Sequence, residues 1–299
     1  MIFSVTKHYK IWFAISGILV CSSIVFLSMW GLRLGIDFKG GMRAELEFAN
    51  SADGAQVSRS LQSKGYAGVV VQQAGDKKIV IKTEDLNEEQ TAKFKEELKV
   101  KFGDFQELGF VKVGPTLGDE LLRKAYWQIA LVVIGIVLYI SYAFRKIGKM
   151  TKKGGISAWK LGMATIIALI HDLVIPMGVF AILGKYYGVE IDSLFVTALL
   201  TILGFSVHDT IVVFDRIREN LQKYPYQSLR NIIDFSVAST MARSVNTSST
   251  LIFVLIAMLL FGGQTIFYFL LALLVGVFFG TYSSIFIASP FLYLVRKRV

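Results

Sequence analysis

The feature that most constrains this chain is a run of 52 residues, from Ser244 to Val295, that contains no Asp, Glu, Lys or Arg. About 20 apolar residues in a helix are enough to cross the hydrocarbon core of a bilayer, which is roughly 30 Å thick. An uncharged stretch of more than twice that length does not occur in an ordinary water-soluble domain. Hydrophobic residues make up 54% of the whole sequence, which fits the same class. The sequence therefore predicts a membrane protein.

Six apolar segments are long enough to span a membrane as helices. They cover residues 11–30, about 125–144, about 161–184 and about 193–214, and the uncharged run supplies two more on either side of Gly262-Gly263-Gln264. No small-residue cleavage site follows the first segment, so we expect an uncleaved anchor and not a signal peptide. The predicted fold class is an α-helical polytopic membrane protein with six transmembrane helices.

Lysine and arginine are unequally divided between the two sides of such a membrane. The amino terminus, residues 145–160, residues 215–243 and the carboxyl tail together hold sixteen, whereas the opposite short loops hold only Lys185. By the positive-inside rule, both termini are cytoplasmic and the segment between the first two spans is extracytoplasmic. The net charge of +10 comes from these flanking stretches, since residues 33–124 contain fifteen basic and fifteen acidic side chains. We therefore do not expect nucleic-acid binding.

The segment between the first two spans, residues 37–115, is predicted to be a folded domain. Residues 42–48 alternate apolar and polar side chains, as a half-buried strand does, and residues 69–73 and 78–83 are typical of a hairpin. Residues 54–64 have a helical pattern, Asn87 with Gln90 fits a capping box before a second helix, and residues 105–113 form a last strand. The order βαββαβ is that of the α+β ferredoxin-like fold. The predicted domain separates a first part of the chain, residues 1–36 with the first helix, from residues 116–299 with five more helices.

Two His-Asp pairs lie inside predicted spans, His171-Asp172 in the third and His208-Asp209 in the fourth. Ionisable residues at membrane depth are costly and are functional candidates by default. Arg243, at the start of the fifth span, is a candidate partner for Asp209. An Asp that moves between an apolar environment and a nearby arginine would act as a proton-coupled switch. The alternative is a static Asp209–Arg243 pair that holds two spans together.

The role of Asp172 is equally open, because Pro176 follows four residues later and the carboxylate could serve a kinked backbone. We expect His171 and His208 to be hydrogen-bonding partners more than proton carriers. Small residues in the fourth and sixth spans are explained by helix packing; they are Gly204, Ser206, Thr210, Ser283 and Ser284.

Motifs of enzymes are missing from the sequence. There is no GxxxxGK[ST] nucleotide-binding loop, no GxSxG and no HExxH. We therefore predict no enzymatic activity, no cofactor and no metal site, and any work would draw on an ion gradient.

Four segments resemble the SecF family of export-accessory subunits, which is related to the RND superfamily. They are LGIDFKGG (34–41), VGPTLGDELLRKA (113–125), ALIHD (168–172) and VHDTIVVFDRIREN (207–220). Their order and spacing cover essentially the whole chain. The family commonly has Asn before the fourth-span Asp, where this chain has His208, which could add a titrating group.

The resemblance implies a function in protein export across the bacterial inner membrane. SecF-like proteins pair with a SecD subunit and the SecYEG channel, and use the proton motive force to help pull preproteins across in unfolded form. The fourth-span acidic residue of the family falls on Asp209, its fifth-span arginine on Arg243, and its third-span HD pair on His171 and Asp172. A non-conducting scaffold and an RND-type small-molecule exporter subunit remain alternatives, and the coupling ion could be a proton or sodium.

A charged group follows the fourth span directly, at Asp215, Arg216, Arg218 and Glu219. Asp215, Arg218 and Glu219 lie along one helical face, because they are three and four residues apart. One hypothesis is that they anchor the cytoplasmic end of the span or contact a partner. The alternative is that they form a solvated helix end.

Overall fold

The computed structural model describes residues 4–145 and 158–297. The described residues form two compact units. A helical unit takes its residues from Met1–Arg33, Trp127–Val189 and Leu194–Val299, and a mixed α/β unit consists of Leu34–Tyr126 and Glu190–Ser193. Five basic residues of the positive-inside count lie outside the described residues; they are Lys146, Lys149, Lys152, Lys153 and Arg298.

The α/β unit follows the first helix, α1 (Tyr9–Trp30), and opens with a short helix, α2 (Ile36–Lys39). The six predicted elements come next: β1 (Gly41–Phe48), α3 (Gly54–Ser63), β2 (Val70–Gln73), β3 (Lys78–Thr83), α4 (Glu88–Phe102) and β4 (Phe105–Val113). The four strands are antiparallel and have the order β2-β3-β1-β4. The predicted ferredoxin-like fold is confirmed.

Alternation of side chains decides which face of this sheet is covered. In β1 the side chains of Met42, Ala44, Leu46 and Phe48 are buried, whereas the polar residues between them are only half-buried. Leu46 pairs across the sheet with Ile79, which is also buried. One face of the sheet therefore forms the core of the unit, as period-two patterning requires.

Local capping fixes where the two longer helices of this unit begin. The Asn87 side chain accepts a hydrogen bond from the Gln90 backbone N–H at 2.8 Å, and the Gln90 side chain accepts one from the Asn87 N–H at 2.9 Å. This is the predicted capping box, and it satisfies two N–H groups that the helix leaves without partners. Asp53 caps α3 in a similar way, by accepting from the N–H of Ala55 at 2.9 Å.

Six helices in the described residues are long and apolar enough to cross a membrane, as predicted. After α1 they are α5 (Pro115–Ala143), α6 (Ala158–Tyr187), α7 (Ser193–Lys223), α8 (Leu229–Phe261) and α9 (Phe267–Ser283). The last is continued by a π-helical segment (Ser284–Ala288) and by α10 (Ser289–Lys297). The predicted fifth span from Ser244 is the second half of α8, which begins earlier because Ser228 caps it by accepting from the Asn231 N–H.

Helices α1 and α6 approach each other closely at Ser23 and Gly178. A Cβ atom added at Gly178 would lie 2.3 Å from the Cβ of Ser23 and 2.7 Å from its Cα. Ser23 is itself buried. Small residues at this crossing therefore allow the two backbones to come together, which is how membrane helices commonly gain packing energy.

The amino-terminal segment is tied to the start of α8 by one carboxylate. Asp234 accepts hydrogen bonds from the hydroxyls of Ser4, at 2.6 Å, and Thr6, at 2.7 Å, and from the backbone N–H of Thr6 at 2.9 Å. Asp234 and Thr6 are buried. The start of the chain is thus bound to a residue more than 200 positions later, a contact that no local pattern indicates.

We predict that Gly178→Ala destabilises the helical unit by about 1–3 kcal/mol, because the added methyl group has no room beside Ser23. Thermal unfolding of the purified protein in detergent measures the change. The matched control is Gly135→Ala in α5, where an added Cβ meets no atom within 4 Å in the described residues. Equal melting temperatures for the two variants would contradict the tight crossing.

Candidate functional site

Helices α7 and α9 pack against each other through glycines spaced four residues apart. A Cβ at Gly276 would lie 2.1 Å from Cδ1 of Ile202, and one at Gly280 would lie 3.2 Å from the Cβ of Ser206. The partner residues Ile202 and Ser206 are also four positions apart. This is the GxxxG type of contact, in which missing side chains let two membrane helices approach closely.

The close approach encloses Asp172, whose side chain is completely buried. Its Oδ2 accepts hydrogen bonds from the hydroxyl of Ser206 and from the hydroxyl of Ser283 at 2.8 Å. Its Oδ1 lies 2.9 Å from Nδ1 of His171. Three helices, α6, α7 and α9, therefore meet at one carboxylate. All three of these partners are side chains.

His171 continues this cluster toward α1. Its ring stacks on Tyr282, with centroids 6.0 Å apart and planes at 23°. The Tyr282 hydroxyl donates to the backbone carbonyl of Trp12 at 3.2 Å. The Nε2 atom of His171 is buried and has no hydrogen-bond partner among the described residues. The predicted role of His171 as a hydrogen-bonding partner fits its contact with Asp172.

A π-helical segment, Ser284–Ala288, directly follows the hydroxyl that binds Asp172. The Ser284 hydroxyl donates to the carbonyls of Gly280 and Ser206, at 3.0 and 3.1 Å, and lies 3.0 Å from the Thr210 hydroxyl. Side-chain hydroxyls thus join α7 to the start of the π-helical segment in the sixth span. Single π turns inside helices are frequent at functional sites.

Asp209 lies one helical turn beyond Ser206 on α7 and is buried. The hydroxyls of Ser244 and Ser248 on α8 and of Thr281 on α9 lie next to its carboxylate. Within the described part of the chain, Oδ2 of Asp209 and the hydroxyl oxygen of Ser244 are buried without a hydrogen-bond partner. A buried carboxylate oxygen without a partner is costly. Binding a proton or a cation would remove that cost.

Arg243 does not form an ion pair with Asp209 in this structure. Its side chain is exposed, although the next residue, Ser244, is buried beside Asp209. His208 is also exposed. The structure therefore brings together His171 with Asp172 and surrounds Asp209 with hydroxyls, while Arg243 and His208 lie on the outside of the helical unit.

Exposed polar or small residues follow one another along the outer faces of α7 and α8. On α7 they recur at helical spacing, and they are Thr197, Thr201, Gly204 and His208. On α8 the corresponding residues are Arg243, Asn246, Thr247 and Thr250. A face that only meets lipid normally carries large apolar side chains. Polar groups in membrane helices are instead typical of contacts with other helices.

The charged group after the fourth span forms local ion pairs. Arg216 lies 2.6 Å from Glu219, and Arg218 lies 2.6 Å from Asp215. Arg216 also donates to the hydroxyl of Ser239 on α8 at 3.2 Å. At least one member of the group therefore joins the end of α7 to α8, and the others are partly exposed.

Four buried hydroxyls at the contacts between α6, α7 and the sixth span are the site residues that sequence reasoning missed. Ser206, Thr210, Ser283 and Ser284 were explained by packing alone, yet each is buried in a hydrogen bond of this network. The Gly276–Gly280 spacing was the available signal, because it predicts which helices touch. Across residues 4–145 and 158–297, no three His, Cys, Asp or Glu side chains come together as metal ligands.

Two family descriptions match the sequence. "Protein export membrane protein SecD/SecF, C-terminal" covers residues 93–298, and "SecD/SecF GG Motif" covers residues 30–52. Together they take in the α7 and α8 residues around Asp209 and the segment that contains α2.

Similar proteins cover nearly the whole chain. The protein translocase subunit SecF of Thermobaculum terrenum is 43% identical, and the alignment covers 93% of this chain and 89% of the relative. The protein translocase subunit SecF of Anaerolinea thermophila is 38% identical, and the alignment covers 95% of this chain and 91% of the relative. Among solved structures, SecDF from Thermus thermophilus, described as a translocon-associated membrane protein, matches with a TM-score of 0.85 and 28% identity. This chain is covered completely by that match but spans 39% of the SecDF chain.

We predict that Asp172→Ala destabilises the protein by about 1–3 kcal/mol, because the buried Ser206 hydroxyl loses its acceptor. The double variant Asp172→Ala with Ser206→Ala should be more stable than the single Asp172→Ala variant, since no orphaned hydroxyl remains at Ser206. Thermal unfolding in detergent measures both. If the second substitution adds a further loss of its own, the hydrogen bond does not contribute as described.

Proposed function

The chain belongs to the SecD/SecF family of protein-export membrane proteins, and we propose that it works as the SecF-type subunit that uses the proton motive force to promote late translocation and release of exported proteins. The relatives that match over almost their full length are named protein translocase subunit SecF, which supports this assignment. No step of the proposal requires chemistry on a substrate.

The proposal rests on one buried oxygen of Asp209, Oδ2, which has no hydrogen-bond partner among residues 4–145 and 158–297. A carboxylate that moves between an apolar environment and a nearby cation can exchange a proton between the two. Moving one charge across a membrane potential supplies about 2.3 kcal/mol per 100 mV. That energy is comparable to the cost of rearranging a few helix contacts, so a single carboxylate is sufficient as the coupling site.

In the proposed cycle, the structure corresponds to a state in which Asp209 faces hydroxyls and Arg243 faces outward. In a second state the ionised carboxylate is close to Arg243, and the fourth and fifth spans have moved. The solved relative supports two states, because SecDF has also been described in a Super-membrane-facing form, to which this chain matches with a TM-score of 0.71. The Asp172 cluster stays intact in both states and holds α6, α7 and α9 together.

The outer faces of α7 and α8 are where we place a SecD-like partner. The solved SecDF chain is much longer than this one, which leaves room in it for a second set of helices. Small residues such as Gly204 permit close approach of a partner helix, and exposed Arg243 and His208 would gain polar neighbours there. The partner thereby contributes to the environment of the coupling site.

We propose that the chain lies in the bacterial inner membrane with both termini on the cytoplasmic side and the ferredoxin-like unit on the far side, an orientation that the positive-inside count supports. In that position the unit would meet a preprotein as it leaves the SecYEG channel. Holding and releasing the emerging chain in alternation prevents it from sliding back, and this is the work that the ion gradient drives.

We predict that Asp209→Asn abolishes the gradient-dependent stimulation of preprotein export, and that Asp209→Glu retains part of it. Asn keeps the size and polarity of the side chain but cannot exchange a proton. Export is measured in cells that lack their own copy, at matched membrane levels of each variant. The control is Asp215→Asn on the same helix, because Asp215 is exposed and paired with Arg218, and its loss should leave export unchanged.

Full export by Asp209→Asn would overturn the coupling proposal and would favour a scaffold that stabilises the channel without moving ions. Loss of export with both Asn and Glu, at normal protein levels, would show that shape and not titration matters at this position. Export that follows a sodium gradient in place of a proton gradient would keep the mechanism and change the ion.

We predict that Gly204→Leu weakens co-purification of a SecD-like subunit at least tenfold, because a large side chain would separate the two helices. Gly135→Leu in α5 is the matched control, since an added Cβ at either glycine meets no atom of the described residues within 4 Å. Quantitative co-purification from detergent extracts measures the difference. Equal recovery with both variants would place the partner on another face.

A further inference from the structure

The four residues Glu190–Ser193 belong to the α/β unit, although they connect two helices of the helical unit. Helix α6 ends three residues before Glu190, and α7 begins at Ser193. The same two helices carry Asp172 and Asp209. The turn between the third and fourth spans is therefore part of the α/β unit, which contains the ferredoxin-like fold.

Backbone pairing holds this turn in the α/β unit. Leu34 and Ile191 form an isolated parallel β-bridge. The backbone N–H of Gly35 donates to the carbonyl of Ile191 at 2.8 Å. A Cβ at Gly35 would lie 3.0 Å from that same carbonyl oxygen, so the close pairing favours glycine at this position.

Asp37 caps the first residue of α7. Its Oδ2 accepts from the backbone N–H of Ser193 at 2.9 Å and from the Ser193 hydroxyl at 2.5 Å. Carboxylates at helix amino termini satisfy free N–H groups and interact favourably with the helix dipole. Asp37 lies in α2, within the segment matched by the GG motif, so the motif supplies the cap of the helix that carries Asp209.

An ion pair completes the attachment. Nζ of Lys82 on β3 lies 2.9 Å from Oε2 of Glu190, and the two side chains are only 19% and 14% exposed. Lys93 and Glu89 on α4 form a pair of similar length, 2.7 Å, but are 64% and 77% exposed. Water screens the attraction between two charges less when the pair is partly buried than when it is exposed. Of these two ion pairs, Lys82–Glu190 is therefore the one that fixes the position of the turn.

We infer that Glu190–Ser193, held by Lys82 and Asp37, is the element that passes movement of α7 to the ferredoxin-like unit. This inference rests on the proposed function, since it assumes that α7 moves when Asp209 changes its protonation. Lys82, Glu190 and Asp37 are positioning residues: they act through the start of α7 and not through contact with an ion or a preprotein.

The chain connectivity explains why this turn suits the task. A helix is stiff along its axis, so a displacement near Asp209 reaches the start of α7 about 24 Å away at roughly 1.5 Å per residue. At that end the helix continues directly into a segment that is bonded to the sheet through β3. A flexible linker would absorb the displacement; a turn bonded at backbone, cap and ion pair does not.

Charge reversal tests the inference. Lys82→Glu and Glu190→Lys are made singly and together, and preprotein translocation is measured in inverted membrane vesicles with the proton gradient intact and collapsed by an ionophore. The measured quantity is the ratio of the two rates. We expect each single variant to lower the wild-type ratio at least threefold toward one, at unchanged protein level and unchanged rate without the gradient. The double variant should recover at least half of the wild-type ratio.

Lys93→Glu is the matched control, because it reverses the same charge in an exposed pair of the same unit and should keep the wild-type ratio. A merely structural role would instead lower protein level and both rates together. Single variants with the wild-type ratio, or a double variant no better than the singles, would overturn the inference while the proposed function stands. A wild-type ratio of one would overturn the proposed function and this inference together.

Discussion

The close approach of α7 and α9 determines where the buried polar groups of the helical unit lie. Gly276 and Gly280 remove the side chains that would keep the two helices apart, and Ser206, which faces Gly280, also donates to Asp172 on α6. In a membrane there is no hydrophobic driving force between helices, so packing and hydrogen bonds must supply the specificity. The hydroxyl donors of Asp172 come from the same two helices that the glycines allow to approach each other.

The buried carboxylates of Asp172 and Asp209 have different surroundings although they lie on neighbouring helices. Asp172 is bonded on both oxygens, whereas Asp209 keeps one oxygen without a partner in the described residues. A fully satisfied buried group makes a structure rigid, and a partly satisfied one leaves free energy available for binding. This contrast is consistent with the proposal that Asp172 holds the helices together and that Asp209 is the group that changes its protonation.

Local patterns predicted much of this fold. Alternation in residues 42–48 and the Asn87–Gln90 capping box depend on neighbours in the chain, and both were predicted correctly. The hydroxyl contacts of Asp172 depend on how three helices are rotated about their axes, which no short pattern specifies. For the same reason the sequence suggested Arg243 as a partner of Asp209 but could not show that its side chain is exposed here. The Asp37 cap of α7 joins residues 156 positions apart, so it was equally invisible.

The hydrogen bonds between Asp234 and the amino-terminal segment have a consequence for biosynthesis. Ser4 and Thr6 leave the ribosome well before their acceptor, which is made about 230 residues later. At 5–20 residues per second, this interval is on the order of 10–50 seconds. The first helix therefore enters the membrane before the residues that precede it can form their hydrogen bonds with Asp234. Those bonds form only after four spans have been synthesised. Insertion of this span and formation of the hydrogen bonds to Asp234 are therefore separated in time during synthesis.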